Sequence, residues 1–199
     1  MQESMRRPLQ YDEEKMTRAV QLMLEAMGED PRRPGLLDTP SRVARAYREL
    51  CWGVGRSPTE EIDKFFESES DEMVVVRDIS FYSLCEHHLL PFFGRAHVAY
   101  IPADGRITGL SKLARAIEVA ARRPQVQERL TAEVADAIMA ALRPQGALVC
   151  VEAEHLCMTM RGVRKPGTLA VTSAVRGVFL EDAATRAEAF ALLGRSGSR

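Results

Sequence analysis

Two separated clusters of cysteine and histidine are the residues of this chain best suited to chemistry. Cys85 and His88 form a Cys-x-x-His pair, and His155 and Cys157 stand two positions apart much later in the chain. Thiolate and imidazole are ligands that zinc prefers. If Cys157 completes the set with Cys85 and His88, three protein ligands leave one coordination position for water, as in catalytic zinc sites. The sequence therefore predicts a zinc-dependent hydrolase.

The other histidines of the clusters have candidate roles of their own. A strand pattern over residues 155–161 would place His155 and Cys157 on one face of a sheet, where one can bind metal while the other acts on substrate. His87, between the two ligands of the first cluster, is then directed elsewhere and is available to exchange a proton. The alternative is that these side chains are satisfied by hydrogen bonds in the core. Two clusters that each offer both residue types favour metal binding.

Basic residues at two places in the sequence could bind an anionic substrate. Ser111 is the predicted N-cap of a helix whose first turn carries Lys112 and Arg115 on one face. A helix N-terminus with two cations can bind phosphate, although an isolated motif of this kind is more often a solvated helix start. Arg161 follows the second cluster, and a cation in that place strengthens the case for a polyanionic substrate.

The first turn of the next predicted helix carries Gln127 and Glu128, opposite in pattern to the apolar face of that helix. Most glutamates in such positions are solvated and favoured by the helix dipole. A carboxylate in a cleft can also accept two parallel N–H bonds from the edge of a guanine ring. Purine recognition is therefore a second interpretation of this pair.

A helical pair precedes the part of the chain that carries these residues. Apolar residues at helical spacing predict a first helix that ends at Gly28. A second helix is predicted to begin with Thr39 as its N-cap and Pro40 in its first turn. Its inward-facing residues are predicted to be Val43, Ala46, Tyr47 and Leu50. We assign residues 1–70 to this N-terminal helical segment and its acidic linker.

The pattern then changes to that of alternating strands and helices. Strands are predicted over 73–81, 93–101, 147–153, 155–161 and 169–175. Helices are predicted over 111–122, 125–142 and 182–193. This order indicates an α+β fold with an antiparallel sheet and two helices packed on one face. Residues 71–199 are assigned to this catalytic domain.

Composition argues against several classes of protein. The 199 residues carry 27 basic and 28 acidic side chains, and the formal net charge of −1 argues against binding to nucleic acid or to anionic membranes. Neither a signal peptide nor an apolar run long enough to span a membrane is recognisable, so we expect a cytoplasmic protein. In that reducing compartment Cys51 and Cys150 are predicted to be small buried hydrophobic residues, not disulfides.

Five segments of this chain resemble those of GTP cyclohydrolase I, the zinc-dependent type. They are Cys85-Glu86-His87-His88, Gly109-Leu110-Ser111-Lys112, residues 125–131, Glu154-His155-Leu156-Cys157 and Arg161-Gly162-Val163-Arg164. Their order and spacing agree over residues 12 to 193. The resemblance implies the tunnelling fold, in which the antiparallel sheets of the subunits join into a ring-shaped barrel and two pentameric rings form a homodecamer. It also implies hydrolysis of GTP to 7,8-dihydroneopterin triphosphate and formate, the first step of tetrahydrofolate biosynthesis.

The resemblance further implies a role for each site residue. The ligands of a Zn²⁺ ion would be Cys85, His88 and Cys157. Water on that zinc would attack C8 of guanine, with proton transfer and the later closure of the pterin ring assisted by His155, His87 and Ser111. The substrate-binding residues would be Lys112, Arg115 and Arg161 for the triphosphate, Gln127 and Glu128 for the guanine edge, and Arg42, extended from a neighbouring subunit.

Two other functions are alternatives. A related tunnelling-fold enzyme, the deazaguanine nitrile reductase, needs a nucleophilic cysteine and no zinc ligands, so His88 and Cys157 argue against it. A non-enzymatic zinc-binding interaction module would need a basic face and a fourth protein ligand, for which Cys150 is the spare cysteine near the second cluster. The three-ligand set favours the hydrolase over both.

Overall fold

The secondary structure is described for residues 10–194 of a computed structural model. The strands are β1 (Phe65–Glu67), β2 (Val74–Cys85), β3 (Pro91–Ile101), β4 (Arg106–Thr108), β5 (Pro124–Gln125), β6 (Gly146–His155) and β7 (Leu169–Gly177). The helices are α1 (Glu13–Ala26), α2 (Thr39–Leu50), α3 (Leu110–Ala121), α4 (Gln127–Leu142), α5 (Leu156–Thr159), α6 (Val178–Glu181) and α7 (Ala183–Gly194), with a 3₁₀ turn at Pro58–Glu61. None of the helices in the described range combines the length and the apolarity that a membrane crossing requires.

Five strands form one sheet in the spatial order β5-β2-β3-β6-β7, and β1 pairs with β4 in a separate two-stranded sheet. The four long strands pair antiparallel, whereas the two residues of β5 run parallel to the end of β2. The structure thus confirms the predicted α+β class with a mainly antiparallel sheet. Gln125 was predicted in the following helix but lies in β5, because its backbone pairs with Cys85 and the extended Val126 delays the helix to Gln127.

Two long helices cover one face of this sheet, as predicted. α3 and α4 turn their apolar stripes toward the inward-facing residues of β2, β3 and β6. The core between them includes Phe81, Phe92, Val98, Leu113, Ile117, Leu130, Ile138 and Val149. Because alternate residues of a strand face opposite sides of the sheet, the other half of each strand faces away from this core.

The C-terminal helix α7 packs on that opposite face. Its residues Ala189 and Leu193 belong to a second, smaller cluster with Leu148, Cys150 and Phe179. Cys150 is therefore the buried apolar residue that the sequence predicts. Cys51, for which the same environment was predicted, is only half-buried at the end of α2.

The N-terminal helical pair differs from its prediction in two details. Asp38 occupies the N-cap position of α2 and Thr39 is the first helical residue, so Thr39 is not the cap. Ala44 is fully buried, whereas Ala46, predicted to face inward, is exposed. Just before α1, the Tyr11 hydroxyl donates to the Ala44 carbonyl at 2.6 Å and connects this segment to α2.

β6 ends at His155, and the predicted strand over 155–161 is wrong. At this end of the ladder between β3 and β6, the last pair joins His155 to Phe92. The next residue of β3 is Pro91, which has no N–H to donate to a longer ladder. The chain therefore leaves the sheet and forms the single helical turn α5. His155 and Cys157 are thus not alternate residues of one strand: His155 ends β6 and Cys157 lies in the turn that follows.

Candidate metal centre and active site

Cys85 and His88 are brought together by a tight turn at the end of β2. Cys85 is buried and is the last residue of β2, which continues beyond the strand predicted over 73–81. The amides of His88 and Leu89 both donate to the Cys85 carbonyl, at 3.2 and 2.8 Å, and Leu89 has a left-handed φ of 55°. This reversal returns the imidazole of His88 to the sulfur of Cys85, with Sγ and Nδ1 3.8 Å apart.

The α5 turn brings Cys157 to the same place. The ligand atoms of Cys85, His88 and Cys157 all lie within 4.8 Å of one another. A tetrahedral zinc ion, bonded at about 2.3 Å to sulfur and about 2.0 Å to nitrogen, separates such ligand atoms by roughly 3.6 Å. The distance of 3.8 Å between the Cys85 sulfur and the His88 nitrogen suits one shared ion. The structure therefore joins the two sequence clusters into one group that could hold a metal.

The electrostatics of this group also favour a cation. Burial raises the pKa of the Cys157 thiol, and the neighbouring Cys85 raises it further. Two thiolates this close repel each other, and a divalent ion between them would favour the charged form of both. Across residues 10–194 this is the one group of three or more such side chains close enough to share an ion, and Cys150 does not belong to it. The fourth ligand that a closed zinc module needs is thus not supplied by Cys150.

His87 lies exposed beside the candidate ligands. Its Nδ1 is 4.0 Å from the Cys85 sulfur, and its ring stands at 84° to the ring of His88 with the centroids 6.3 Å apart. An exposed imidazole next to the metal group is accessible to a bound substrate. This placement is compatible with the predicted role in proton exchange.

His155 is held between an aromatic ring and an amide. Its ring stacks on Phe92 with the centroids 4.6 Å apart and the planes at 3°. Its Nε2 lies 2.7 Å from Oε1 of Gln127. Burial lowers the pKa of His155, and the nearby Glu128 opposes this in part. The ring is therefore fixed in orientation at the end of β6, one residue before the turn that carries Cys157.

Gln127 is buried, although the sequence pattern set it opposite the apolar face of α4. Its amide nitrogen lies 3.0 Å from the carbonyls of Val151 and Ala170 and 3.1 Å from the hydroxyl of Thr172. Its amide oxygen contacts His155. Both ends of the side chain are therefore occupied by protein groups of the sheet.

Lys112 and Arg115 lie on the first turns of α3. The ammonium of Lys112, with only 14% of the side chain exposed, is 2.5 Å from the carboxylate of Asp63 and lowers the pKa of that carboxyl. Arg115 is exposed one turn further along. Ser111, predicted as the N-cap of α3, is the second helical residue, because the extended backbone of Gly109 starts the helix and its carbonyl accepts the Lys112 amide at 2.8 Å.

Arg161 reaches the metal group from the segment after α5. Its Nη2 lies 2.5 Å from Nε2 of His88, and the side chain is exposed. A cation is therefore present at the rim of the candidate centre. An anion bound there would meet a guanidinium, which suits phosphate.

Two other predicted residues, Glu128 and Arg42, lie on α4 and α2. Glu128 is exposed in the first turn of α4 and lines an open groove along β7 with Thr172 and Ser173. Arg42 is on α2 and pairs with Asp38 at 3.0 Å. Its predicted reach into a neighbouring subunit concerns an interface and stays a prediction.

Sequence reasoning missed Phe92, Asp63 and the threonine pair Thr131 and Thr172. Phe92 reads as an ordinary apolar strand residue, and its stacking partner His155 comes from a different strand. Asp63 precedes Lys112 by a long stretch of chain, and Thr172 meets Gln127 only through the pairing of β6 with β7. No local signal marks such contacts, since each depends on how distant strands pair.

Comparison with known proteins places these observations in a family context. The family model described as GTP cyclohydrolase I matches residues 16–194. A protein named GTP cyclohydrolase 1 from Carboxydothermus hydrogenoformans is 61% identical over 183 residues, which are 92% of this chain and 95% of that protein. Proteins of the same name from Pelotomaculum thermopropionicum and Streptococcus pyogenes are 60% and 55% identical over 92% and 94% of this chain, and 97% and 96% of their own lengths. Among solved structures, the apo archaeosine synthase QueF-Like aligns with a TM-score of 0.46 at 18% identity, over 55% of this chain and 97% of that chain.

Proposed function

Since the chain belongs to the GTP cyclohydrolase I family, we propose that it hydrolyses GTP to 7,8-dihydroneopterin triphosphate and formate at the group formed by Cys85, His88 and Cys157. The observation that carries this assignment is the convergence of three metal-type ligands from two distant segments, next to a fixed histidine. Three ligands leave a position open for water, which suits hydrolysis better than a structural role.

Zn²⁺ is the ion that best suits two thiolates and one imidazole. When bound, it supplies a Lewis acid that makes water a better nucleophile toward C8 of guanine. The protein's part is to hold the three ligands at the end of the sheet. Cys85 is anchored by the β2 ladder, His88 by the turn through Leu89, and Cys157 by α5.

His155 and His87 handle protons in this proposal. His155 is stacked on Phe92 and bonded to Gln127, so it can deliver a proton to the ring nitrogen that leaves C8 without first having to reorient. His87 is exposed on the other side of the Cys85 sulfur and assists from there. Ser111, exposed in the first turn of α3, is assigned to the ribose, where the later ring closure takes place.

The triphosphate is assigned to Lys112, Arg115 and Arg161. Lys112 is kept in place by Asp63, and Arg161 lies at the rim of the metal group. Phosphate oxygens can replace the Asp63 carboxylate as the acceptor for Lys112, and they can accept from the guanidinium of Arg161. Glu128, in the groove along β7, is assigned to the guanine edge, which a carboxylate can bind through two parallel hydrogen bonds.

A ring-shaped oligomer, a decamer of two pentamers, is proposed for the assembly. Within residues 10–194, β7 pairs on one side only, and the outer side of β2 is covered only near its end by β5. Antiparallel joining of these edges from subunit to subunit would close a barrel and protect the free strand edges. Arg42 would then extend across the contact to a neighbour's phosphates. Light scattering on the purified protein tests this; a monomer would overturn it.

The decisive experiment for the activity is direct. Purified protein loaded with Zn²⁺ is expected to release formate from GTP and to yield a fluorescent pterin after oxidation. The Cys157→Ala variant serves as the control for contaminating activity, because it removes one candidate ligand. A metal-loaded oligomer that releases no formate would overturn the proposal. Consumption of NADPH with a deazaguanine nitrile would support the reductase alternative instead.

A further inference from the structure

The hydrogen bonds around Gln127 have directions that the geometry alone determines. The Thr131 hydroxyl lies 2.7 Å from the backbone carbonyl of Gln127 and 2.6 Å from the Thr172 hydroxyl. A carbonyl only accepts, so Thr131 donates its proton to that carbonyl. Thr172 must then donate to Thr131, and its oxygen remains available as an acceptor.

The amide of Gln127 has only one satisfactory orientation in this setting. Its nitrogen faces the carbonyls of Val151 and Ala170 and the accepting oxygen of Thr172 at 3.0 to 3.1 Å. A flipped amide would set its own oxygen against two carbonyl oxygens in a buried place, which is strongly unfavourable. The amide oxygen of Gln127 is therefore the atom that faces His155.

This orientation selects one form of the histidine. An amide oxygen only accepts, so the 2.7 Å contact requires a proton on Nε2 of His155. In the neutral ring the lone pair is then on Nδ1. The stacked ring of Phe92 also restrains the plane of the imidazole, so the orientation of the ring is restrained together with its tautomer.

We propose that Gln127 is a positioning residue that holds His155 as the Nε2–H tautomer, so that Nδ1 is the nitrogen that exchanges a proton with the substrate. This inference rests on the proposed function and deepens it. When the guanine imidazole ring opens, the Nδ1–H bond of the cationic His155 breaks as an N–H bond forms on the nitrogen that leaves C8. The imidazole of His155 thereby returns to its neutral form, and its Nε2–H still donates to the amide oxygen of Gln127.

The inference changes the role that the resemblance implies for Gln127. Its amide nitrogen and oxygen are both engaged by the protein, so they are not available for the guanine edge. Recognition of guanine then depends on the neighbouring, exposed Glu128. Of these two adjacent residues of α4, Gln127 positions His155 and Glu128 binds the guanine base.

Two variants and two substrates separate these roles. Gln127→Met keeps the length of the side chain and removes its polar atoms, and is expected to lower kcat by about 10- to 100-fold, as loss of a positioning partner commonly does. KM for GTP and the preference for GTP over ITP, which lacks the 2-amino group, are expected to stay as in the wild type. Glu128→Gln is the matched comparison and is expected to change KM and the GTP/ITP preference instead. A Gln127→Met enzyme that loses the GTP/ITP preference while keeping kcat would overturn the inference.

A spectroscopic measurement checks the tautomer without reference to activity. The chain has 4 histidines, and solid-state ¹⁵N spectra of histidine-labelled, zinc-loaded protein can identify His155 by comparison with His155→Ala. The expected result is a protonated Nε2 and an unprotonated Nδ1 in the neutral ring, with the two forms mixed in Gln127→Met. A proton on Nδ1 in the wild type would overturn the inference, whatever the enzyme does to GTP.

If Gln127→Met does not fold, Thr172→Val replaces it, and a smaller loss of kcat is expected. An unchanged kcat and an unchanged His155 spectrum in Thr172→Val would count against the inference.

Discussion

Two regions of the sheet place cysteine beside histidine, and the structure gives them opposite environments. At the end of β2 and β6, Cys85, His88 and Cys157 gather around a point that could hold a metal. In the middle of the same sheet, His97 and Cys150 are direct partners across β3 and β6. The residue types are the same, so composition does not explain why only the first region collects ligands.

The difference lies in what the backbone is free to do. At the strand ends the chain reverses through Leu89 or enters the α5 turn, so side chains from separate segments can converge. In mid-strand the backbone is held by ladder bonds and neighbouring side chains stand side by side. There His97 accepts the Asp78 amide on Nδ1 at 3.2 Å, and Cys150 packs in the cluster under α7. Convergence needs the chain to leave the sheet. Beside His97 the β-bulge between Val76 and Ile79 interrupts the ladder, but β2 continues beyond it to Cys85.

The largest expected effect comes from replacing one cysteine of each region with alanine. Cys157→Ala is expected to lose bound zinc and formate release together, because two ligands do not retain the ion. Cys150→Ala is expected to keep both and to lose only stability, since Cys150 is an apolar packing residue. Metal content by mass spectrometry and formate release measure the pair. Loss of zinc from Cys150→Ala would mean that the site is closed by a fourth ligand.

The second comparison sets His155, at the end of β6, against the buried His97 in the middle of the sheet. His155→Ala is expected to keep zinc and to lose turnover by about 10²- to 10⁴-fold, the usual contribution of a proton-transfer group. His97→Gln, which keeps an acceptor for the Asp78 amide, is expected to turn over GTP at the wild-type rate. Zinc content and kcat are the measurements. If His155→Ala strips the metal, His155 is a ligand and its assigned role is wrong.

The third comparison concerns two cations, Lys112 of the assigned triphosphate site and Arg95 beside His97. Lys112→Ala is expected to weaken GTP binding by about 10- to 100-fold, because hydrogen bonds to charged groups contribute about 1.5 to 3 kcal/mol. Guanosine binding should be nearly unchanged, and the loss should shrink as salt is added. Arg95→Ala removes an exposed cation beside His97 and serves as the control. Equal losses for GTP and guanosine would remove Lys112 from the triphosphate site.

The smallest expected effect is a pH dependence of stability that belongs to the middle of the sheet. Burial lowers the pKa of His97 below its ordinary 6.5; Asp78 and Glu152 oppose this, and Arg77 and Arg95 reinforce it. The unfolded chain therefore binds the proton more readily than the folded one. The stabilising contribution is complete above pH 6.5 and is lost as the pH falls below that value.

Urea unfolding of the wild type and of His97→Gln between neutral and mildly acidic pH measures this effect. The stability of the wild type is expected to fall more steeply with acid than that of the variant, while both share any contribution of His155. Parallel curves for the two proteins would show that His97 titrates alike in the folded and unfolded chain.

The local features of the fold were predictable from the sequence. The helices α3, α4 and α7 and the strands β3 and β7 lie close to their predicted positions, because the period of apolar residues shows which side of an element is buried. The grouping of Cys85 and His88 followed from their spacing. Its union with Cys157 was predicted from ligand chemistry, although the strand geometry used to argue it was wrong.

Other features depended on contacts that no local pattern contains. The break of β6 at His155 follows from Pro91 on another strand, and the burial of Gln127 follows from the pairing that sets Ala170 and Thr172 beside Val151. The periodicity of α4 placed Gln127 on the polar side of the helix. Periodicity takes no account of the carbonyls and the hydroxyl of the sheet that bind Gln127 beneath the helix. The burial of Cys150 beneath α7 likewise depends on a contact between distant segments of the chain.

The sequence by itself determined the chemical types of the ligands, the class of the fold and the family, because these depend on residue identity and on spacing within short segments. Tertiary structure decided which of two cysteine–histidine regions gathers ligands, and which atom of His155 faces Gln127. Those outcomes depend on the register between strands far apart in the chain, and a shift of one residue in that register would turn every side chain of a strand to the other face of the sheet.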